Sequence, residues 1–319
     1  MKVNFIGNKK VADLLCNMIK NNKLSHSYLF YGAKGLGKTT LAQAFAQAIL
    51  CENKKDGHAC GECLACKKVF SFNHPDVIFV TEPDKKKKGI SIDTVRQMRA
   101  DAIIKPNESN YKIIVLENVE NMSMGAINAL LKIVEQPPLH VIFILTCENS
   151  YAIAETIRSR CICLELNPVT NSQCLLALSD NDADDDLKNH AVLLANGNIG
   201  RAIECLENTQ FSAFNNDAFE FVAHLGAHSK IGLLEVLAKY EKDKPLAISF
   251  LNTVIATASQ ILRYKSINQN GDDKIAKLAL EVSNGKLLSV IEACQQALNQ
   301  INLNANVSLV LTHLTTQIK

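Results

Sequence analysis

The stretch Gly32-Ala33-Lys34-Gly35-Leu36-Gly37-Lys38-Thr39-Thr40 limits what this chain can fold into more than any other. It reads G-x-x-x-x-G-K-[ST], a loop whose glycines let backbone N–H groups turn inward around phosphate oxygens. The motif requires a buried strand before it and a helix after it. The apolar run Ser27-Tyr28-Leu29-Phe30-Tyr31 precedes it, and Leu41, Ala44, Phe45, Ala48 and Ile49 share one helical face after it. The start of that helix adds its positive end to an anion site. Gly32, Gly35 and Gly37 would thus shape a nucleotide-binding loop, with Lys38 on the β- and γ-phosphates, the Thr39 hydroxyl on Mg²⁺, and Thr40 beside it. The expected ligand is ATP or ADP with Mg²⁺. A Gly-rich structural turn is the plainer alternative, and the flanking strand and helix argue against it.

Behind the loop helix come Cys51, Cys60, Cys63 and Cys66, spaced C-x8-C-x2-C-x2-C. Thiolates suit tetrahedral Zn²⁺, and a C-x2-C step lets two sulfurs reach one metal. Four protein ligands leave no open position for water or substrate, so the zinc expected here is structural. His58 is a possible substitute ligand, and a redox pair is the competing reading. The total of eleven cysteines is odd. The start, Met1-Lys2-Val3-Asn4-Phe5, lacks the apolar core of a signal peptide, and no apolar run reads as long enough to span a bilayer. The expected location is the cytoplasm, where thiols serve metals or stay buried.

Two more apolar runs read as buried parallel strands, Lys112 to Leu116 and Val141 to Thr146. In phosphate-loop NTPases the first such strand ends in an acidic pair. One carboxylate helps hold Mg²⁺ and the next polarises the attacking water. Here the pair is Glu117-Asn118. An amide cannot act as a carboxylate base. Glu120, the nearest other carboxylate, sits two residues on. Thr146, with Glu148 and Asn149, should meet the same crevice. His74-Pro75-Asp76 reads as a turn and Val77 to Val80 as a strand. Lys85 to Lys88 read as a solvated loop. Arg158 and Arg160 stand in a turn before the Ile162 strand; such arginines seek anionic partners, most often in structural ion pairs.

After Asn167-Pro168 the alternation of strand and helix stops. Residues 171 to 208 read as short helices, and from Phe211 the pattern is helical throughout. A chain of 319 residues has room for two or three domains, and its net charge of +2 gives no general attraction to polyanions. The expected division is an α/β domain over 1–166 with an insert at 51–66, a helical segment over 167–208 and an all-α domain over 209–319.

These residues together resemble the bacterial clamp-loader subunits of the AAA+ class. The match runs through His26 to Phe30, the glycine loop, the four-cysteine insert and His74-Pro75-Asp76. It continues in Asn128 to Lys132, Glu135-Gln136-Pro137-Pro138, Ser159-Arg160-Cys161 and Gly197-Asn198-Ile199-Gly200-Arg201-Ala202. The resemblance implies an AAA+ phosphate-loop domain with a parallel sheet, a small helical lid and an all-α C-terminal collar, the collar by analogy alone. It implies that Arg160 serves as an arginine finger in a neighbour's ATP site and that Arg201 is the lid arginine on the γ-phosphate. The implied partners are gamma/tau and delta subunits in a hetero-pentameric ring of the DNA polymerase III holoenzyme. The sliding clamp and primed DNA are met through that assembly, and no membrane is involved. Motor subunits of this family keep Asp-Glu where this chain has Glu117-Asn118, and begin with a Trp-Arg-Pro stretch absent here. Two roles stay open: a subunit of weak or no ATPase that supplies a finger in trans, or an active motor. An unrelated phosphate-loop kinase ranks last.

Overall fold

Apolar residues of the central strand segments are buried on both faces, and their alternation divides them between two helical layers. The computed structural model describes residues 5–81, 89–207, 211–267, 273–303 and 305–317. The lysine run Lys85 to Lys88 and residues 268–272 of an expected linker lie outside them.

Five parallel strands, β1 (Ser27–Tyr31), β2 (Val77–Val80), β3 (Lys112–Leu116), β4 (Val141–Cys147) and β5 (Ile162–Glu165), form one sheet in the order β2-β3-β4-β1-β5. Tyr28, Phe30, Ile113, Val115, Ile142 and Ile144 face one layer, together with Leu15, Leu41 and Phe45. These belong to helices α1 (Lys9–Lys20) and α2 (Lys38–Leu50). Leu29, Ile114, Leu116, Phe143 and Leu145 face the other layer, with Val95, Met98, Ala126 and Leu130. Helix α3 (Leu64–Phe70) begins within the cysteine insert and runs past its last cysteine, and α4 (Ile92–Ile103) and α5 (Met124–Glu135) cover the second face. Short α6 (Glu155–Arg158) precedes β5. Side-chain oxygens of Ser91 and Ser123 accept the Thr94 and Ala126 amides at the starts of α4 and α5, satisfying donors the helices leave free.

The His74-Pro75-Asp76 turn has a second purpose. Asp76 is fully buried, and its carboxylate accepts the backbone amides of Asn107, Glu108 and Ser109 and the Ser109 hydroxyl. Burial alone would raise its pKa; these donors outweigh burial and hold it below the usual carboxylate range. A depressed folded pKa adds stability that is present above about pH 4 and is lost as pH falls through the folded value. Asp76→Ala should cost about 3 kcal/mol by orphaning those donors. The urea midpoints of wild type and Asp76→Asn, well apart at pH 6, should converge below about pH 4.

The chain divides into two compact units. One takes the residues up to Gln173 together with Asn198–Gly200, and the other takes Cys174–Gly197 and everything from Arg201 onward. After α7 (Asn171–Ala177), the helices are α8 (Asp185–Ala195), α9 (Ile199–Glu207), α10 (Phe211–Gly226), α11 (Lys230–Ala238), α12 (Lys244–Ile267), α13 (Asp273–Glu281), α14 (Asn284–Asn302) and α15 (Val307–Gln317). Within the second unit, Ala191 and Leu194 pack with Phe211 and Ala256, so α8 shares a core with the long C-terminal helices. Against the expectation of no span-length apolar run, Lys244–Ser266 is long and apolar enough to cross a membrane by length and composition. Its Ala247, Phe250, Leu251, Val254, Ala258 and Ile261 are instead buried in the helical core.

Candidate nucleotide site and metal centre

The carboxyl ends of β1, β3 and β4 stand side by side, since Phe30 pairs with Thr146 and Leu116 with Leu145. The glycine loop leaves β1 there and enters α2 through Gly37, at φ 84°, in the left-handed region that glycine adopts freely. Lys38 is buried, and its ammonium donates to the Gly32 and Ala33 carbonyls at 2.7 and 3.0 Å. Burial lowers its pKa, while the Glu148, Glu120 and Glu117 carboxylates act in the opposite direction. The Thr39 hydroxyl donates to Glu117 Oε1 at 2.6 Å. The hydroxyl and carboxylate expected to share a hard cation are therefore already paired. Thr40 is exposed on the first turn of α2.

Asn118 takes φ 52°, which an asparagine tolerates, and the chain turns at once into a 3₁₀ turn over Val119–Asn121. Its backbone N–H donates to the buried Thr146 Oγ1 at 3.2 Å, so Thr146 supports the end of β3. The turn carries Glu120 over β4, where its Oε1 accepts the Glu148 amide at 2.9 Å. Asn149 is spent elsewhere, since its side chain accepts the Tyr151 amide.

The four cysteines of the insert meet as expected. The sulfurs of Cys51, Cys60, Cys63 and Cys66 all lie within 4.8 Å of one another, with Cys60–Cys66 at 3.9 Å and Cys51–Cys63 at 4.0 Å. All four are free cysteines. A tetrahedron with Zn–S bonds of about 2.3 Å has edges of about 3.8 Å, so the donor set fits one such ion. Amides of Glu62 and Cys63 point at the Cys60 sulfur and bring its pKa down to about 6. Burial pushes Cys51 and Cys66 up. His58 is not part of the set. Its Nδ1 instead meets the Cys16 sulfur of α1 at 3.6 Å.

The insert is fastened on two sides. A Cβ on Gly57 would lie 2.1 Å from the Cys16 carbonyl oxygen, so only glycine permits this approach to α1. From α2, the Gln43 amide donates to the Val69 and Phe70 carbonyls and the Gln47 amide to that of Cys66. Helix α3, of which the cysteine spacing gave no sign, starts with the Cys63 sulfur accepting the Cys66 amide.

Arg160 is exposed at the rim before β5. It donates to the Thr156 carbonyl at 2.7 Å and pairs with Glu135 at 3.1 Å. The ion-pair alternative is thus present in the isolated chain. Arg201 is exposed on α9 and belongs to the helical unit. Two of the three residues before it make a contact that sequence reading missed. Asn198 Nδ2 donates to the Lys34 carbonyl at 2.6 Å, and the Gly200 amide donates to that of Gly35 at 2.9 Å. Its sequence signal was the Gly197-to-Ala202 stretch, read there for Arg201.

A five-stranded parallel sheet in this order, with the glycine loop after β1 and the acidic residue after β3, is the architecture of the AAA+ α/β core. The sequence model of the family described as DNA polymerase III, delta subunit, matches residues 7–170, and the chain belongs to that family. It is similar to DNA polymerase III subunit tau of Bacillus subtilis, 36% identical over 166 residues, which are 52% of this chain and 29% of that protein. Subunit delta' of the same organism is 28% identical over 324 residues, covering 97% of this chain and 95% of that one. Subunit delta' of Pseudomonas aeruginosa is 37% identical over 138 residues, 43% of this chain and 42% of the relative. The chain thus spans less than a third of the tau protein's length but nearly all of the Bacillus delta'.

Proposed function

We propose that this chain is a delta-prime-like subunit of a bacterial DNA polymerase III clamp loader, binding nucleotide, hydrolysing it slowly if at all, and supplying Arg160 to a neighbour's site. The observation that carries the reading is the end of β3. Asn118 stands where a water-polarising carboxylate is needed, beside an intact Lys38, Thr39 and Glu117. Such a site retains the groups that grip phosphates and lacks the group that polarises the attacking water. The partners in this reading are gamma/tau and delta subunits, with the sliding clamp and primed DNA met through the assembled ring in the cytoplasm. Residues 167–208 act as its lid, with Arg201 sensing the γ-phosphate, and 209–319 as its collar.

Mg²⁺ would be held by Thr39 and Glu117, and Zn²⁺ by the four cysteines of the insert. The magnesium ion, when bound, supplies charge neutralisation for the phosphates. The chain's own part is to present Lys38 and the loop amides and to orient the phosphate chain.

One observation favours the motor alternative. Glu120 brings a carboxylate to the carboxyl end of β4. The isolated chain should bind MgADP and lose that binding in Lys38→Ala, while its ATP turnover stays far below that of an active AAA+ motor. Turnover at motor level that is abolished by Glu120→Gln would establish the alternative. Reconstitution with the other loader subunits should give clamp loading that depends on this chain; loading unchanged without it would overturn the role.

A further inference from the structure

We propose that Asn198 and Gly200 are positioning residues of the phosphate loop, holding two of its carbonyls outward so that the amides behind them face a polyphosphate. The proposal rests on the reading that this loop binds a nucleotide. In a trans peptide the C=O and the next N–H point in opposite directions. Asn198 Nδ2 draws the Lys34 carbonyl one way at 2.6 Å, which turns the Gly35 N–H the other way. The Gly200 amide does the same to the Gly35 carbonyl at 2.9 Å, which turns the Leu36 N–H. That Leu36 N–H and the Lys38 ammonium meet at one acceptor, the Ala33 carbonyl oxygen, at 3.4 and 3.0 Å. Two donors carried by different parts of the loop therefore converge on a single oxygen, the arrangement a phosphate oxygen needs.

The fit is tight enough to be specific. A Cβ on Gly35, which takes φ +87°, would stand 2.3 Å from Asn198 Oδ1. A Cβ on Gly200 would stand 2.6 Å from the Gly35 Cα and 2.8 Å from its carbonyl oxygen. The Gly200 contact is backbone against backbone and cannot yield without moving the loop, and the Gly35 contact is with the Asn198 side chain itself. The chain leaves the α/β unit after Gln173, returns for Asn198–Gly200 and leaves again.

The test is calorimetric titration of the full-length chain with MgADP and, separately, with AMP, which lacks the β-phosphate the loop grips. Asn198→Ala should weaken ADP binding about tenfold, the equivalent of one hydrogen bond, and leave AMP binding within about twofold. Asn198→Asp keeps the size but replaces the donor by an acceptor facing a carbonyl, and should weaken ADP at least as much. Gly200→Ala should do so by about tenfold or more, with the melting temperature unchanged to within about 2 °C. Lys38→Ala is the control for the loop itself. If wild type binds ADP, Lys38→Ala does not, and the Asn198 and Gly200 variants bind like wild type, the positioning role is overturned and the nucleotide reading stands. Equal losses for ADP and AMP, or a general fall in stability, mark a merely structural contact and also overturn it. If wild type binds no ADP, the nucleotide reading falls and takes this proposal with it.

Discussion

Arg160→Ala should slow hydrolysis at the adjoining subunit's site by about 10³-fold or more, the magnitude such fingers supply in related NTPases. The ATPase of the whole ring falls only by that site's share, so clamp loading is the sharper readout. Nucleotide binding by this chain itself should be unchanged, because the residue stands at the rim before β5 and not in its own glycine loop. The Glu135 pair does not prevent the role. Both side chains are nearly half exposed, at 40% and 46%, and exposed ion pairs are worth about 0–1 kcal/mol. A γ-phosphate competes easily at that cost. Glu135→Gln should therefore leave ring ATPase intact. Arg160→Lys should not rescue fully, since an ammonium cannot reproduce the planar fork. An Ala variant that assembles normally with unchanged ATPase and loading would assign Arg160 to the internal ion pair alone.

Cys63→Ser should remove the metal and loosen the insert as a unit. Protein purified without chelator should carry one zinc per chain, and the variant much less. Structural zinc sites bind with apparent energies of about 10–16 kcal/mol in small domains. Only part of that becomes stability here, because α1 and α2 are also held by the sheet. A fall in melting temperature of roughly 10 °C is expected, and chelator should reproduce it in wild type. Cys63 caps α3 and, in this reading, would also ligate the metal, so serine should retain some capping while losing the metal. Wild type without zinc, or a variant with undiminished zinc and stability, would refute the assignment.

The strands were legible because parallel strands buried on both faces leave uninterrupted apolar runs. The glycine loop and the cysteine spacing were legible because their chemistry demands particular residue types at fixed intervals. Other parts left no such trace. Asn198 and Lys34 are 164 residues apart, and their bond uses one backbone carbonyl that any residue would offer. Asp76 is held by backbone amides, which carry no side-chain signature. The placement of Glu120 left no trace because Asn118 leaves the strand in a left-handed conformation and a 3₁₀ turn follows. Helix α3 was hidden because its cap is a thiol, a residue type read first as a ligand.

Gln43 and Gln47 carry an implication for descent and for engineering. Both are almost wholly buried on the helix that follows the glycine loop; Gln47 donates to the Cys66 carbonyl of the insert and Gln43 to the Val69 and Phe70 carbonyls of the helix that closes it. A lineage that discarded its cysteines, or a designer who trimmed the insert, would leave two amides facing apolar surroundings with nothing to receive their protons. Metal loss in this fold should therefore be accompanied by aliphatic replacements at positions 43 and 47, so that the insert and these two helix residues are inherited or abandoned together.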